Sequence, residues 1–565
     1  MKFLSIFFVV SFVTSSLQIS TPDSPSYVAA VVEYHKISSD ADPVQLSANV
    51  NDFLRIIREP DVENADIIVF SETSLNSPDT AIYLPDPNDA IVPCGNNSYN
   101  FTDIIRKLSC AAMTEQKYVV INVNEKSDCP DKQQVEWHDP RPCDASKVNI
   151  YNTNVVFDRK GTVIAKYRKF NLFGEGKTLK PFKPEAVTFK TDFDVTFGMF
   201  ICFDLMFHQP PLDLVKSGVQ DFIFSANWFS EIPFLSAVQI QQSWAYSNKV
   251  NLLAAGRNLP KVGSTGSGIY HGRFGPLTAI MSSKNETKIL VATVPKIVNN
   301  ASAVPPVAVP IVPNTPAAMT NLRLKRDQID KYVTELIKIP KDVNGTANIS
   351  LVTDICHNTF CCNFDFNGTV AQTTPGSVSY SYRYAAYSGW RTFDGFADGA
   401  VKLCAVIACL DESVASCGKT FGAGEKIEDK LEFTYIKVDT VFKGSEIHMM
   451  PNTLDTTMLP LNPREFNYTE VWEFDNDPES EKVVSLELLS PHKDLLTFAL
   501  WARDYNAKKE EGGNGGNGTE GGNGGNGTDE NNGNEHGGSN GKANAVTGTI
   551  FFTLLAVLGA FFMCN

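Results

Sequence analysis

The sequence lacks a basic excess. Its 565 residues carry 49 Lys and Arg against 64 Asp and Glu, a formal net charge of -15. No surplus of cations is available to neutralise phosphates, so nucleic-acid binding is excluded. Histidine is scarce as well: the 8 His are scattered without metal-ligand spacing, and no metal or cofactor is expected. No apolar run reaches the ~20 residues that a membrane span needs. The two longest lie at the ends and read as addresses. Lys2 followed by Phe3 to Val13 has the form of a secretory signal peptide over residues 1–20. Thr549 to Met563 follows a spacer, Lys542 to Gly548, and the small residues Ser539, Asn540 and Gly541. That order predicts a GPI anchor on Ser539, with 542–565 as the discarded propeptide, and places the protein on the outer face of the cell membrane.

Cysteine usage fits this compartment. Of 12 Cys, Cys94, Cys110, Cys129 and Cys143 form one even group, and Cys356, Cys361, Cys362, Cys404, Cys409 and Cys417 another. Cys564 leaves with the tail, so Cys202 stands alone between two sets able to pair internally. Asn-x-Ser/Thr sequons begin at Asn96, Asn100, Asn285, Asn300, Asn344, Asn348, Asn367, Asn467, Asn517 and Asn526, as expected for a glycoprotein of the secretory route.

The length exceeds what one core supports, so at least two domains are expected. Residues 26–298 alternate strand-like apolar runs (Tyr27 to Glu33, Ile67 to Phe70, Tyr118 to Val123, Thr196 to Phe203, Phe222 to Ser225, Leu252 to Ala255) with amphipathic segments. Leu46, Val50, Phe53, Leu54 and Ile57 mark one helical face; Ile104, Ile105, Leu108, Ala111 and Ala112 mark another. Asn154 to Lys169 reads as a hairpin. The pattern predicts a layered α/β domain. Five prolines between Pro305 and Pro316 mark a semi-rigid connector over 299–329. Residues 330–505 read as mostly β, from the alternation of Tyr380, Tyr382 and Tyr384 and of Leu431, Phe433 and Tyr435. Three disulfides are expected to staple this smaller, loop-rich domain. Residues 506–541, with GGNGGNGTE and GGNGGNGTD, have nothing to bury and read as a flexible stalk.

Three reactive side chains follow apolar strands: Glu72 in DIIVFSE, Lys169 in IAKYRKFNLF and Cys202 in FGMFICFD. Strand ends of α/β sheets favour sites, so the three can converge. A thiol attacks an amide as thiolate and needs a base, which Glu72 can supply. Lys169 and the backbone N–H of Phe203 can hold the resulting oxyanion. Each residue also has a plain structural reading: an inert buried thiol, a helix-capping carboxylate, a lysine in a basic surface run with Lys166 and Arg168. Glu175 either assists Lys169 or lies on the surface. Asn227 and Trp228 can line the pocket. His208 invites a Cys–His protease reading, but the surroundings of Cys202 carry no such signature.

These segments, together with YRKFNLFGE, FGMFICFDLMFHQPPLDLVKSGVQDFIFSANW, PFLSAVQIQQSWA and TGSGIY, resemble the nitrilase (carbon-nitrogen hydrolase) superfamily, in the branch holding vanins (pantetheinases) and biotinidase. The resemblance covers nearly the whole mature chain except the stalk. It implies an α-β-β-α sandwich followed by a smaller mostly-β domain that braces the first and covers part of its pocket. It assigns Glu72 as general base and acid, Lys169 as oxyanion and positioning group, and Cys202 as nucleophile. The implied activity is hydrolysis of a small linear amide of the pantetheine type through a thioester. A biotin-amide hydrolase or a non-catalytic surface glycoprotein is the alternative. One departure stands out: Ser71 replaces the proline usual before the glutamate, and SETSLN replaces a more acidic, glycine-containing continuation.

Overall fold

The strand Ser26–Glu33 is buried on both faces, and its two faces look into different cores. Ala29 and Val31 join one apolar cluster, whereas Ala30 and Val32 join a second; Ile67 and Val69 against Ile68 and Phe70 repeat the division on the next strand. Strands covered on both sides read as continuous apolar runs, which is how they stand in the sequence. The computed structural model describes residues 19–37, 43–96, 102–311, 313–340, 343–422, 424–443, 446–472 and 481–509. Residues 1–18, Asn100, Asn517, Asn526, nearly all of the stalk, Ser539 and the apolar tail lie outside the described residues.

The first sheet runs in the order Lys288–Pro295, Ser26–Glu33, Ile67–Phe70, Tyr118–Asp128, Val148–Phe157, Val163–Arg168, with Ile82–Tyr83 attached to Tyr118–Asp128. The second runs Gly275–Ile280, Ser267–His271, Asn251–Gly256, Asp221–Ala226, Thr196–Ile201, Thr188–Lys190. Central neighbours in both sheets are parallel. Their inner faces share one core, and helices cover the outer faces. Pro43–Ile57 and Asp103–Thr114 place Phe53, Ile56, Leu108 and Ala112 on the first sheet. Ala237–Asn248 lays Trp244 against Phe200 and Phe222 of the second, with ring centroids 4.9 and 5.2 Å apart. This is the α-β-β-α sandwich. The hairpin is present but its first strand begins at Val148, and the strand before Cys202 stops at Ile201 rather than Phe203.

The C-terminal half is a sandwich of two five-stranded antiparallel sheets. It is not loop-rich: strands of up to 13 residues dominate, because long alternating segments build a core of their own. Its cysteines pair as Cys356–Cys361, Cys362–Cys404 and Cys409–Cys417, and the N-terminal group as Cys94–Cys110 and Cys129–Cys143. Alternation of Leu431 and Phe433 does not extend to Tyr435. A register shift opposite Asn367 and Gly368 hands the next core position to Ile436.

The two halves form one contact unit. Gln239 Nε2 donates to Asn452 Oδ1 (2.7 Å), Asn452 Nδ2 to the Phe234 carbonyl (2.9 Å) and Arg503 Nε to the Met206 carbonyl (2.9 Å), all buried. The connector is docked at its far end, where Lys325–Arg326 pairs in parallel with Glu231–Ile232. Of the described sequon asparagines, Asn285, Asn300, Asn344, Asn348 and Asn467 are exposed and Asn96 and Asn367 partly so.

Candidate active site

Glu72, Lys169, Cys202 and Asn227 each lie just past the last residue of a strand, two from each sheet, so the facing sheets bring them together. Lys169 Nζ donates to Glu72 Oε1 at 2.8 Å and to Glu175 Oε1 at 2.6 Å. Asn152 Nδ2 reaches the same two oxygens at 2.8 and 3.0 Å. Asn227 N–H donates to Glu72 Oε2 at 2.7 Å, so both carboxylate oxygens are held. Behind them Asn122 Nδ2 donates to Asn152 Oδ1 (2.7 Å), and its own oxygen accepts from Thr73 N–H (2.9 Å).

Burial raises the Glu72 carboxyl, but Lys169 and hydrogen bonds from Lys169, Cys202 and Asn152 outweigh it and hold Glu72 below the ordinary glutamate range. Lys169 is pushed the other way: burial disfavours its charge, yet Glu72, Cys202 and Glu175 keep it firmly an ammonium. Burial and the Glu72 charge push the Cys202 thiol well up, partly offset by Lys169 and the Asn227 N–H. Glu175 is raised by burial and by Glu72 against the pull of Lys169. The resting arrangement is a thiol beside a carboxylate–ammonium pair, and the thiol needs that carboxylate to lose its proton.

Cys202 sits at φ 48° and Thr73 at φ 52°, a left-handed conformation that costs a non-glycine residue energy and persists only where its surroundings impose it. Asp204 is part of that framework. It accepts from Ile201 N–H (3.0 Å), Tyr167 Oη (2.7 Å), Asn171 N–H (2.8 Å) and Asn171 Nδ2 (2.9 Å), tying the Cys202 turn to the segment after Lys169. Burial, opposed by these bonds, pushes Asp204 up to about 6. Cys202 opens a 3-10 turn, so the N–H of Phe203, in its first turn, has no intrahelical acceptor.

Cys202 and Asn227 face a cavity of about 440 Å³ including its mouth, walled by Phe173, Phe203, Trp228, Phe229 and Phe393, with polar groups from Glu231, Lys325 and Asp394. Phe393 and Asp394 belong to the second half, so that half does wall part of the pocket. Gly174 (φ 72°) lets the loop carrying Glu175 pass beneath Phe396: a Cβ there would meet the ring at 2.6 Å.

The structure therefore unites Glu72, Lys169, Cys202, Glu175, Asn227 and Trp228. Lys169 is not in a basic surface run, since Lys166 and Arg168 are themselves ion-paired to Glu125. His208 is away from the cavity, beside Asp213 and Glu446. Ser71 does not disturb the loop: its Oγ pairs with Ser74 Oγ at 2.6 Å, fully buried. Sequence reasoning missed Asn152, Asp204 and the Phe393–Asp394 wall. Polar asparagines inside apolar strands (Asn122, Asn152, Asn154) were a usable signal for the first.

Residues 29–296 match the carbon-nitrogen hydrolase family and residues 322–508 the Vanin C-terminal domain. Vanin-like protein 1 of Drosophila melanogaster is 38% identical over 501 residues, covering 87% of this chain and 88% of its own. Biotinidase of Takifugu rubripes is 30% identical, covering 78% and 88%. Human pantetheinase is 30% identical over 338 residues, covering 59% and 61%. The chain belongs to the carbon-nitrogen hydrolase (nitrilase) family, in the branch of vanins, pantetheinases and biotinidases, and is a carbon-nitrogen hydrolase acting on amides.

Proposed function

We propose that the protein hydrolyses a small linear amide of the pantetheine type, giving pantothenate and cysteamine, through a thioester on Cys202. The observation that carries this reading is the joining of one unpaired thiol, a doubly held carboxylate and a buried ammonium at an apolar cavity. Glu72 takes the Sγ proton as Sγ attacks the carbonyl carbon. The oxyanion lies against Lys169 Nζ and the Phe203 N–H. The C–N bond then breaks, and Glu72 passes its proton to the departing amine. Water, deprotonated by Glu72, next attacks the thioester; the acid leaves and Sγ regains the proton. No cofactor enters this sequence.

A second reading, hydrolysis of biocytin, draws on the likeness to biotinidase over most of both chains. Cysteamine release from pantetheine and lysine release from biocytin, measured side by side, separate the two by kcat/KM. Cys202→Ala is expected to lower either activity by about 10⁴-fold or more while secretion continues. Undiminished turnover in that variant would overturn the mechanism.

The reading extends to location: a glycosylated ectodomain reaching the outer cell face and held there by a GPI anchor on Ser539. Release from intact cells by a phosphatidylinositol-specific phospholipase is the expected result; retention would contradict it.

A further inference from the structure

The cavity wall beyond Cys202 carries charge that the proposed chemistry does not use. Glu231 lines the cavity and is 9% exposed. Its position follows from the short parallel pairing in which Glu231 stands opposite Lys325. Oε1 accepts from Arg391 Nη2 at 2.7 Å, and Arg391 Nη1 turns to Asp327 Oδ1 at 2.7 Å. Lys325 is ion-paired to Asp394 and rests over the rings of Phe173 and Phe229. Oε2 of Glu231 has no hydrogen bond among the described residues.

Counted with Asp327 and Arg391 buried behind it, this wall has three carboxyls, Glu231, Asp327 and Asp394, against two cations, Arg391 and Lys325. Burial and Asp327 push Glu231 up to about 7 against the pull of Arg391, with Asp394 adding to the rise. A carboxyl so placed gains from any donor that reaches it, and a ligand donor need displace no existing bond. A substrate carboxylate would instead meet like charge. The acyl part stays bonded to Cys202 while the amine departs, so it is the part held longest in the cavity that Cys202 and Glu231 both line.

Resting on the amidase reading above, we infer that Glu231 is a specificity-determining residue that accepts a hydrogen bond from a hydroxyl or ammonium at the far end of the acyl chain. The remaining walls, Phe173, Phe203, Phe229 and Phe393, cover the apolar parts of that chain.

The test is a series of N-(2-mercaptoethyl) amides of equal acyl length ending in methyl, hydroxyl, ammonium or carboxylate, assayed by thiol release. Wild-type protein is expected to favour hydroxyl and ammonium over methyl by about 10- to 100-fold in kcat/KM, with carboxylate worst. Glu231→Gln is expected to erase the ammonium preference, and Glu231→Val both preferences. Ratios between substrates within one preparation do not depend on how much of it is active. A wild-type preference for methyl, or ratios unchanged in both variants, would overturn the assignment while leaving the amidase reading intact. If the wild type turned over no amide at all, both would fall.

Discussion

Arg168 and Lys169 are consecutive residues, yet they enter different buried ion networks. Arg168 donates to Glu125 at 2.8 and 2.9 Å and to Asp131 at 2.6 Å, stacks over Tyr151 at 3.8 Å, and shares Glu125 with Lys166. Two cations meet two carboxylates, and none of the four lines the cavity beside Cys202. Lys169 instead faces two carboxylates, Glu72 and Glu175, as their shared cation, with a thiol alongside. A balanced, closed network has nowhere to send a proton and serves the fold. An unbalanced one beside a cavity holds a proton that can move, which is what acyl transfer requires.

The largest test of that contrast is Lys169→Met. Loss of the oxyanion donor is expected to lower kcat/KM by about 10³-fold. The melting temperature should fall as well, because Glu72 and Glu175 lose their shared cation, so the rate is compared per folded molecule. Next comes Glu125→Gln, which leaves Arg168 and Lys166 short of a carboxylate. Urea unfolding should show a loss of about 3 kcal/mol, with kcat per folded molecule unchanged. If kcat fell with stability, the two networks would not be separate. Glu175→Gln is a smaller perturbation, because Lys169 keeps Glu72: about a tenfold fall in kcat with KM held is expected, and no change would place Glu175 outside the working set.

The pH response sharpens the same comparison. Glu72 and Glu125 are both held below the ordinary glutamate value of about 4.3. A carboxyl lowered in the folded state contributes stability that is present above its unfolded pKa and lost as pH falls through the folded one. Stability should therefore persist to about pH 5 and decline below it, whereas the acid limb of kcat/KM, set by Glu72 in the folded protein, should lie below about pH 4.3. Glu125→Gln should flatten the acid loss of stability and leave the acid limb of activity where it is.

Sequence reading reached the strands best where burial on both faces made them continuous apolar runs; Ile67–Phe70 is found as read. It singled out Cys202 because that residue stands alone between two even groups of cysteines, and among the described residues Cys202 is the free one. It could not place what comes from afar. Phe393 and Asp394 reach the cavity from a different half of the chain, at the hairpin turn between two long strands. Asn152 lies on the hairpin, where strand periodicity shows a face but not which ion it meets. Tyr435 failed because a bulge resets alternation, and its partner strand is remote in sequence.

The central claim is that acyl transfer passes through Cys202. Mass spectrometry of protein quenched during turnover of pantetheine tests it most directly. The account predicts a pantothenoyl adduct confined to the peptide bearing Cys202, decaying as pantothenate appears and missing from Cys202→Ala. Turnover without any adduct, sustained in that variant, would contradict it.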